Sequence, residues 1–209
     1  MQRLIMTVVA LSVAMSFPPM KQSRAAELPG SLLNHSIRSE KTERSIRLEI
    51  VVNAPAEKVW QAWTTRAGIQ SFFAPDCNID LRVLGKYEIL FAPQAPAGLR
   101  GAEDNLILAI QEGKMLAFTW DAPPEFPVIR KQRTSVVLRF TRLDQNKTRV
   151  DLTHSGWGEG DEWNKVYNYF IMAWGDIVLP FLKHSLESGP IDWKNPPQKL
   201  EKATRIADF

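Results

Sequence analysis

The sequence predicts an α+β fold in which seven antiparallel strands and two short helices are organised around one long C-terminal helix. Three observations carry this. Between Asp161 and Ser188, the apolar residues Val166, Phe170, Trp174, Ile177 and Phe181 recur every three or four positions, which is the spacing of one helix face. Seven upstream stretches instead alternate with period two or are rich in β-formers, as half-buried strands do. Most of the links between the strands are short, and short links join antiparallel neighbours because a parallel pair needs a long crossover.

Taken in order, the chain opens with Arg3 and an uncharged run over residues 4–17. Pro18-Pro19 and then Ser23-Arg24-Ala25 follow, a small-x-small pattern that places signal cleavage after Ala25. The run is shorter than the roughly 20 residues that span a membrane, so no stable span is expected after cleavage. The protein is therefore expected to be periplasmic or secreted. Residues 26–44 are polar, broken by Pro29-Gly30, and read as a flexible tether. The folded domain is expected over residues 45–188 and a stiff tail over 189–209, where Gly189-Pro190 and Pro196-Pro197 interrupt regular structure.

Within the domain, Ile46, Leu48, Ile50 and Val52 make the first strand's buried side. Pro55 opens a helix carrying Val59, Trp60 and Trp63 on one side, and Gly68 is expected to stop it. A second helical turn covers residues 69–73. Strands are expected at residues 79–83, 86–91, 105–111, 115–121, 134–143 and 148–155. Their apolar sides include Tyr87/Ile89/Phe91, Leu106/Leu108/Ile110, Leu116/Phe118/Trp120 and Val136/Leu138/Phe140. The proline-bearing segments 92–103 and 122–133 read as rims. Inside the long helix, Pro180 removes a backbone donor, so a kink is expected there.

Charge excludes one class of partner. Three of the 26 basic residues, Arg3, Lys21 and Arg24, lie in the N-terminal stretch without any Asp or Glu, and the remainder balances the 23 acidic residues. A neutral mature chain offers no electrostatic footprint for nucleic acid. Cys77 is the only cysteine, so neither an intramolecular disulfide nor a cysteine-based metal site is expected, and no cofactor is implied.

Four stretches resemble one superfamily. They are residues 52–60 (VNAPAEKVW), Leu84-Gly85-Lys86-Tyr87, residues 110–120 (IQEGKMLAFTW) and Leu152-Thr153-His154-Ser155-Gly156-Trp157. Together they are similar to the SRPBCC (START-like, Bet v 1-like) superfamily, in the branch of the C-terminal domain of the activator of heat-shock protein 90 ATPase, often called polyketide-cyclase-like. The resemblance implies a helix-grip: a bent seven-stranded sheet wrapped around the long helix, with a cavity between them.

A cavity of that kind makes a small hydrophobic or amphipathic molecule the expected ligand. Trp60, Phe72, Phe73, Tyr87, Phe91 and Phe118 are candidate lining residues on the sheet and short helices. Trp120 joins them, and the long helix adds Phe170, Trp174, Ile177 and Phe181. Aromatic rings are also what cores are made of, so the same set reads equally as packing. His154 is the one catalytic candidate for a cyclase or hydrolase reading, although no companion base or nucleophile accompanies it and a hydrogen-bonded structural role fits its strand better. Cys77 reads as a packed thiol without positive neighbours. Arg100, Arg130, Lys131 and Arg133 on the rims are candidates for attracting an acidic head group. A protein partner, as the chaperone-activator resemblance suggests, is the third functional reading.

Overall fold

The computed structural model describes residues 44–207; the expected signal peptide, and the expected tether up to its last residue, lie outside the described residues. Alternation at the start of the domain becomes strand β1 (Ile46–Val52), with Ile46, Leu48, Ile50 and Val52 buried. Helices α1 (Ala56–Thr64) and α2 (Arg66–Phe72) follow. The break between them is made by Thr65 and not, as expected, by Gly68. Thr65 is extended, and its hydroxyl accepts the Gly68 N–H at 3.0 Å, capping α2. Gly68 is needed for closeness instead, since a Cβ there would lie 2.2 Å from the Gln61 carbonyl oxygen.

Strands β2 (Asp76–Ile79), β3 (Tyr87–Leu90) and β4 (Gly101–Ala102) form a small sheet in that order. β2 lies a few residues earlier than the alternation suggested, and β4 was not expected. The large sheet contains β5 (Ile107–Gln111), β6 (Met115–Trp120), β7 (Thr134–Asp144), β8 (Lys147–Ser155), β1 and a final β9 (Thr204–Arg205), in the order β5-β6-β7-β8-β1-β9. A bridge between Lys86 and Leu106 joins the two sheets. Tyr87 N–H to Asn105 O (2.8 Å) and Ile107 N–H to Gly85 O (2.9 Å) extend that junction. The seven expected strands thus form one bent antiparallel surface, to which β4 and β9 are short additions.

One strand faces differently from its expected frame. In β5 Ile107 is buried while Leu108, and Leu106 just before the strand, are exposed; Ile110 keeps its expected side and packs against the core. A register shift between Ile107 and Ala109 inserts an extra residue opposite β6, and such a bulge re-aims the side chains around it. Alternation alone could not place the bulge.

The long helix is continuous but changes width. It runs as α3 (Asp161–Met172), a π-helical turn (Ala173–Val178) and α4 (Leu179–Ser188). The Leu179 N–H reaches back five residues to Trp174 O. A π turn holds one residue more than an α turn, so the buried stripe slips by one position. Trp163, Val166, Phe170 and Trp174 follow the expected spacing; beyond them Val178 and Leu182 face the sheet, and Ile177 is 49% exposed. The helix accommodates Pro180 by this widening just before it.

The tail is ordered and lies across the molecule. Ile191 N–H bonds Ser71 O (2.8 Å), Trp193 Nε1–H bonds Gln70 O (3.0 Å), and β9 pairs with the free edge of β1.

Candidate functional site

A cavity of about 100 Å³ lies where the ends of β6 and α2 meet the long helix. Phe73 comes from the end of α2 and Trp120 from the last residue of β6; Phe170, Trp174 and Val178 descend from the helix. Phe73 and Trp120 stack at 5.8 Å with their planes 15° apart, and Trp120 and Trp174 stand 5.2 Å apart. These rings are buried, whereas Phe91 and Tyr169, which also line the cavity, are 48% and 42% exposed and form its mouth. β4 closes one side. Gly101 sits at φ +151°, and a Cβ there would lie 2.2 Å from Ile89 O, so only glycine lets this strand approach β3 so closely.

Five of the eleven candidate lining residues therefore come together: Phe73, Phe91, Trp120, Phe170 and Trp174. The other six lie elsewhere. Trp60 meets Phe140 edge-on at 5.8 Å, Phe72 packs on Trp63 at 5.0 Å, and Phe181 faces Trp193 at 6.3 Å. Tyr87 and Phe118 pack on each other at 4.4 Å in the closed part of the core, with the Tyr87 hydroxyl donating to Trp63 O at 2.9 Å. Ile177 faces outward for the reason given above. Tyr169, Ala173 and Val178 were missed as lining residues: the first two flank stripe positions, and the third enters only through the π turn.

His154 is fully buried and holds the cavity wall in place. Trp174 Nε1–H donates to His154 Nδ1 at 3.0 Å, and His154 Nε2 lies 2.7 Å from Thr134 Oγ1. An indole can only donate, so Nδ1 is the acceptor and the proton of the neutral ring is on Nε2. The Thr134 hydroxyl then donates to Trp120 O at 2.9 Å. Burial pushes the imidazole pKa well below its ordinary value, in keeping with a neutral ring. Both nitrogens are committed, so His154 is a structural link between two cavity-lining tryptophans. Asp151 lies on the opposite face of β8 and pairs with Arg149 at 3.1 Å.

The rim cations are engaged within the protein. Arg130 Nη1 contacts Asp121 Oδ2 at 2.7 Å and donates to Ala122 O at 2.5 Å, while Nη2 donates to Gly101 O at 2.6 Å. Arg130 thus ties together both rim segments beside the cavity. Burial raises the Asp121 pKa, opposed by the Asn105 hydrogen bond and by Arg130 and Arg133. Arg100 pairs with Glu103 at 2.6 Å, and Arg133 donates to the Arg130 and Glu103 carbonyls. Burial would raise the Glu103 pKa too, but backbone N–H groups of Arg100 and Gly98 and the Arg100 side chain outweigh it and leave it lowered. Lys131, the fourth rim cation, is exposed and has no such partner among the described residues. The expected head-group attraction therefore loses three of its four residues.

Cys77 does have a cationic neighbour, contrary to expectation: Arg66, which pairs with Asp76 at 2.7 Å. Burial still dominates, and the thiol pKa is pushed up to about 11. Among the described residues, no group of three or more His, Cys, Asp or Glu side chains is placed to hold a metal ion, and no helix is long and apolar enough to cross a membrane.

A bent antiparallel sheet closed around a long C-terminal helix, with an aromatic cavity between them, defines a helix-grip protein of the START-like class. Within that class the chain belongs to the activator of Hsp90 ATPase homolog 1-like family, whose profile matches residues 53–186. Solved structures agree on the fold. A Mesorhizobium loti protein superposes with TM-score 0.55 at 22% identity, covering 69% of this chain and 97% of the other. The Aha1 dimer of Colwellia psychrerythraea gives 0.52 at 22%, covering 70% and 98%. An HSP90 activator of Plasmodium falciparum gives 0.51 at 19%, covering 68% and 93%. Among curated proteins the sequence finds no match.

Proposed function

We propose that this protein is an exported binding domain that holds a small hydrophobic or amphipathic molecule between its sheet and its C-terminal helix. The observation that supports this reading is the cavity itself, with buried rings at its base and half-exposed rings at its mouth. Apolar burial at about 25 cal/mol per Å² supplies the affinity. The volume of about 100 Å³ is below the roughly 300–1,000 Å³ of sites that enclose a drug-sized ligand. The guest is thus held by one compact apolar end while the remainder lies at the mouth. Native mass spectrometry of the protein purified from its host's envelope fraction tests this: a co-purifying small molecule, on a chain beginning at Ala26, is expected. A chain that retains residues 1–25 in the cytoplasm and carries no guest contradicts it.

A protein-interaction role is the second reading. Leu81, Val83 and Leu84 are 43%, 54% and 65% exposed, and the Leu84 N–H bonds Ile107 O, which sets this apolar loop beside exposed Leu106 and Leu108. The family description and the Plasmodium falciparum relative both concern Hsp90 activation. Stimulation of an Hsp90 ATPase by the purified domain, lost on replacing Leu81 and Leu84 with Ser, favours this role.

A further inference from the structure

We infer that the C-terminal strap, residues 199–207, is a positioning element of the cavity, because it supplies the hydrogen bond that Pro180 denies to the long helix. In the π turn, Leu179 N–H is given to Trp174 O. The next bond in that pattern would run from residue 180 to Gly175 O, and proline has no N–H to give. The α-helical alternative would use the Leu179 N–H, which is already spent. Gly175 O therefore has no donor within the helix. Ala203 N–H fills the vacancy at 2.9 Å. Beside it, Lys202 Nζ reaches Asp176 Oδ2 at 2.6 Å.

The other side of the strap is fixed to the sheet. Leu48 and Glu49 of β1 pair with Arg205 and Thr204, and Ile206 N–H bonds Arg47 O at 3.0 Å. The strap thus joins the sheet edge to the helix at the turn whose hydrogen bonding is incomplete. That same turn gives Ala173, Trp174 and Val178 to the cavity. The strap also lies beyond the family match, which ends at residue 186.

Without the strap, Gly175 O must take water or draw the turn back to α-helical spacing. The latter shifts the stripe by one residue and turns Ile177 toward the sheet in place of Val178, changing the cavity wall. Strap docking and guest binding are accordingly coupled, since anything that binds one helix register better shifts the balance toward it. The coupling to a guest rests on the binding role proposed above; the effect on the helix does not.

Amide hydrogen exchange on the full chain, on a chain ending at Gln198 and on Ala203→Pro tests the inference. Val178 and Leu179 amides are expected to exchange about tenfold faster or more in both variants, with β7 and β8 unchanged. Unchanged exchange at Val178 and Leu179 overturns the inference. Pro180→Ala gives Gly175 O a donor of its own and is expected to reduce the effect of truncation to less than about threefold. An equal effect in both backgrounds overturns the hydrogen-bond origin. Titration with the neutral fluorophore N-phenyl-1-naphthylamine addresses the cavity: a change in affinity of about fivefold on truncation is expected, and faster exchange at unchanged affinity overturns the coupling. If the probe binds neither protein, the binding role fails while the exchange result still decides the strap.

Discussion

The indole N–H of Trp174 donates to Nδ1 of His154 over 3.0 Å, and this bond fixes both the tautomer of the histidine and the angle of a cavity wall. Burial of the same ring, which pushes its pKa well below the ordinary value, sets a pH dependence. The unfolded chain takes up a proton on this imidazole below about pH 6.5, whereas the buried ring does not. Stability is therefore full above that pH and falls as the pH drops below it, by up to about 1.4 kcal/mol per pH unit. Urea unfolding of wild type and His154→Gln between about pH 7.5 and 5.5 should show the slope in the first and its loss in the second. Parallel pH profiles would remove His154 as the source.

Arg130 and Asp121 form a pair with side chains only 15% and 2% exposed. Arg130→Met leaves Asp121 with only the Asn105 hydrogen bond and the charge of Arg133 to offset its burial and should cost up to about 3–5 kcal/mol, while adding Asp121→Asn should restore part of that loss. A denaturation cycle over the four proteins measures it. Additive losses would mean that the two residues are not coupled.

Cys77 should resist alkylation. At about pH 8, a thiol with a pKa near 11 is almost wholly protonated. Iodoacetamide labelling followed by mass spectrometry should show a native rate at least about a hundredfold below that of the urea-unfolded chain. Comparable rates would contradict both the burial and the shift.

Leu84 is 65% exposed and held at φ +61°, a conformation that costs about 1–2 kcal/mol for an ordinary side chain. Leu84→Asn should therefore raise stability by about 1 kcal/mol in thermal melts. If the same variant also loses partner binding, the strained leucine is retained for contact and not for folding.

Much of this fold is legible in the sequence because burial on one face writes period two or three-and-a-half directly into residue order. His154 and Leu152 on β8, or Phe170 and Trp174 on the helix, could be placed by spacing alone. What spacing could not show are the features set by distant partners. The phase slip after Trp174 depends on Pro180 and on Ala203, far along the chain; the β5 bulge depends on β6; and β9 exists because β1 has a free edge. The site was partly legible for a related reason. Tyr87, Phe118 and Trp120 all point into the core, yet only Trp120 stands where helix and sheet part, and no local pattern distinguishes a ring beside a hollow from a ring that fills it.

The claim at the centre of this account is that the space beneath Trp174 receives a guest. Ala173 lines that space, so Ala173→Phe should fill it without opening the core. Fluorescence titration of N-phenyl-1-naphthylamine, with a thermal melt on each protein, is the most direct test. Wild type should bind the probe, and Ala173→Phe should bind it about tenfold more weakly or worse while melting at a similar temperature. Equal affinity in two equally folded proteins would contradict the account.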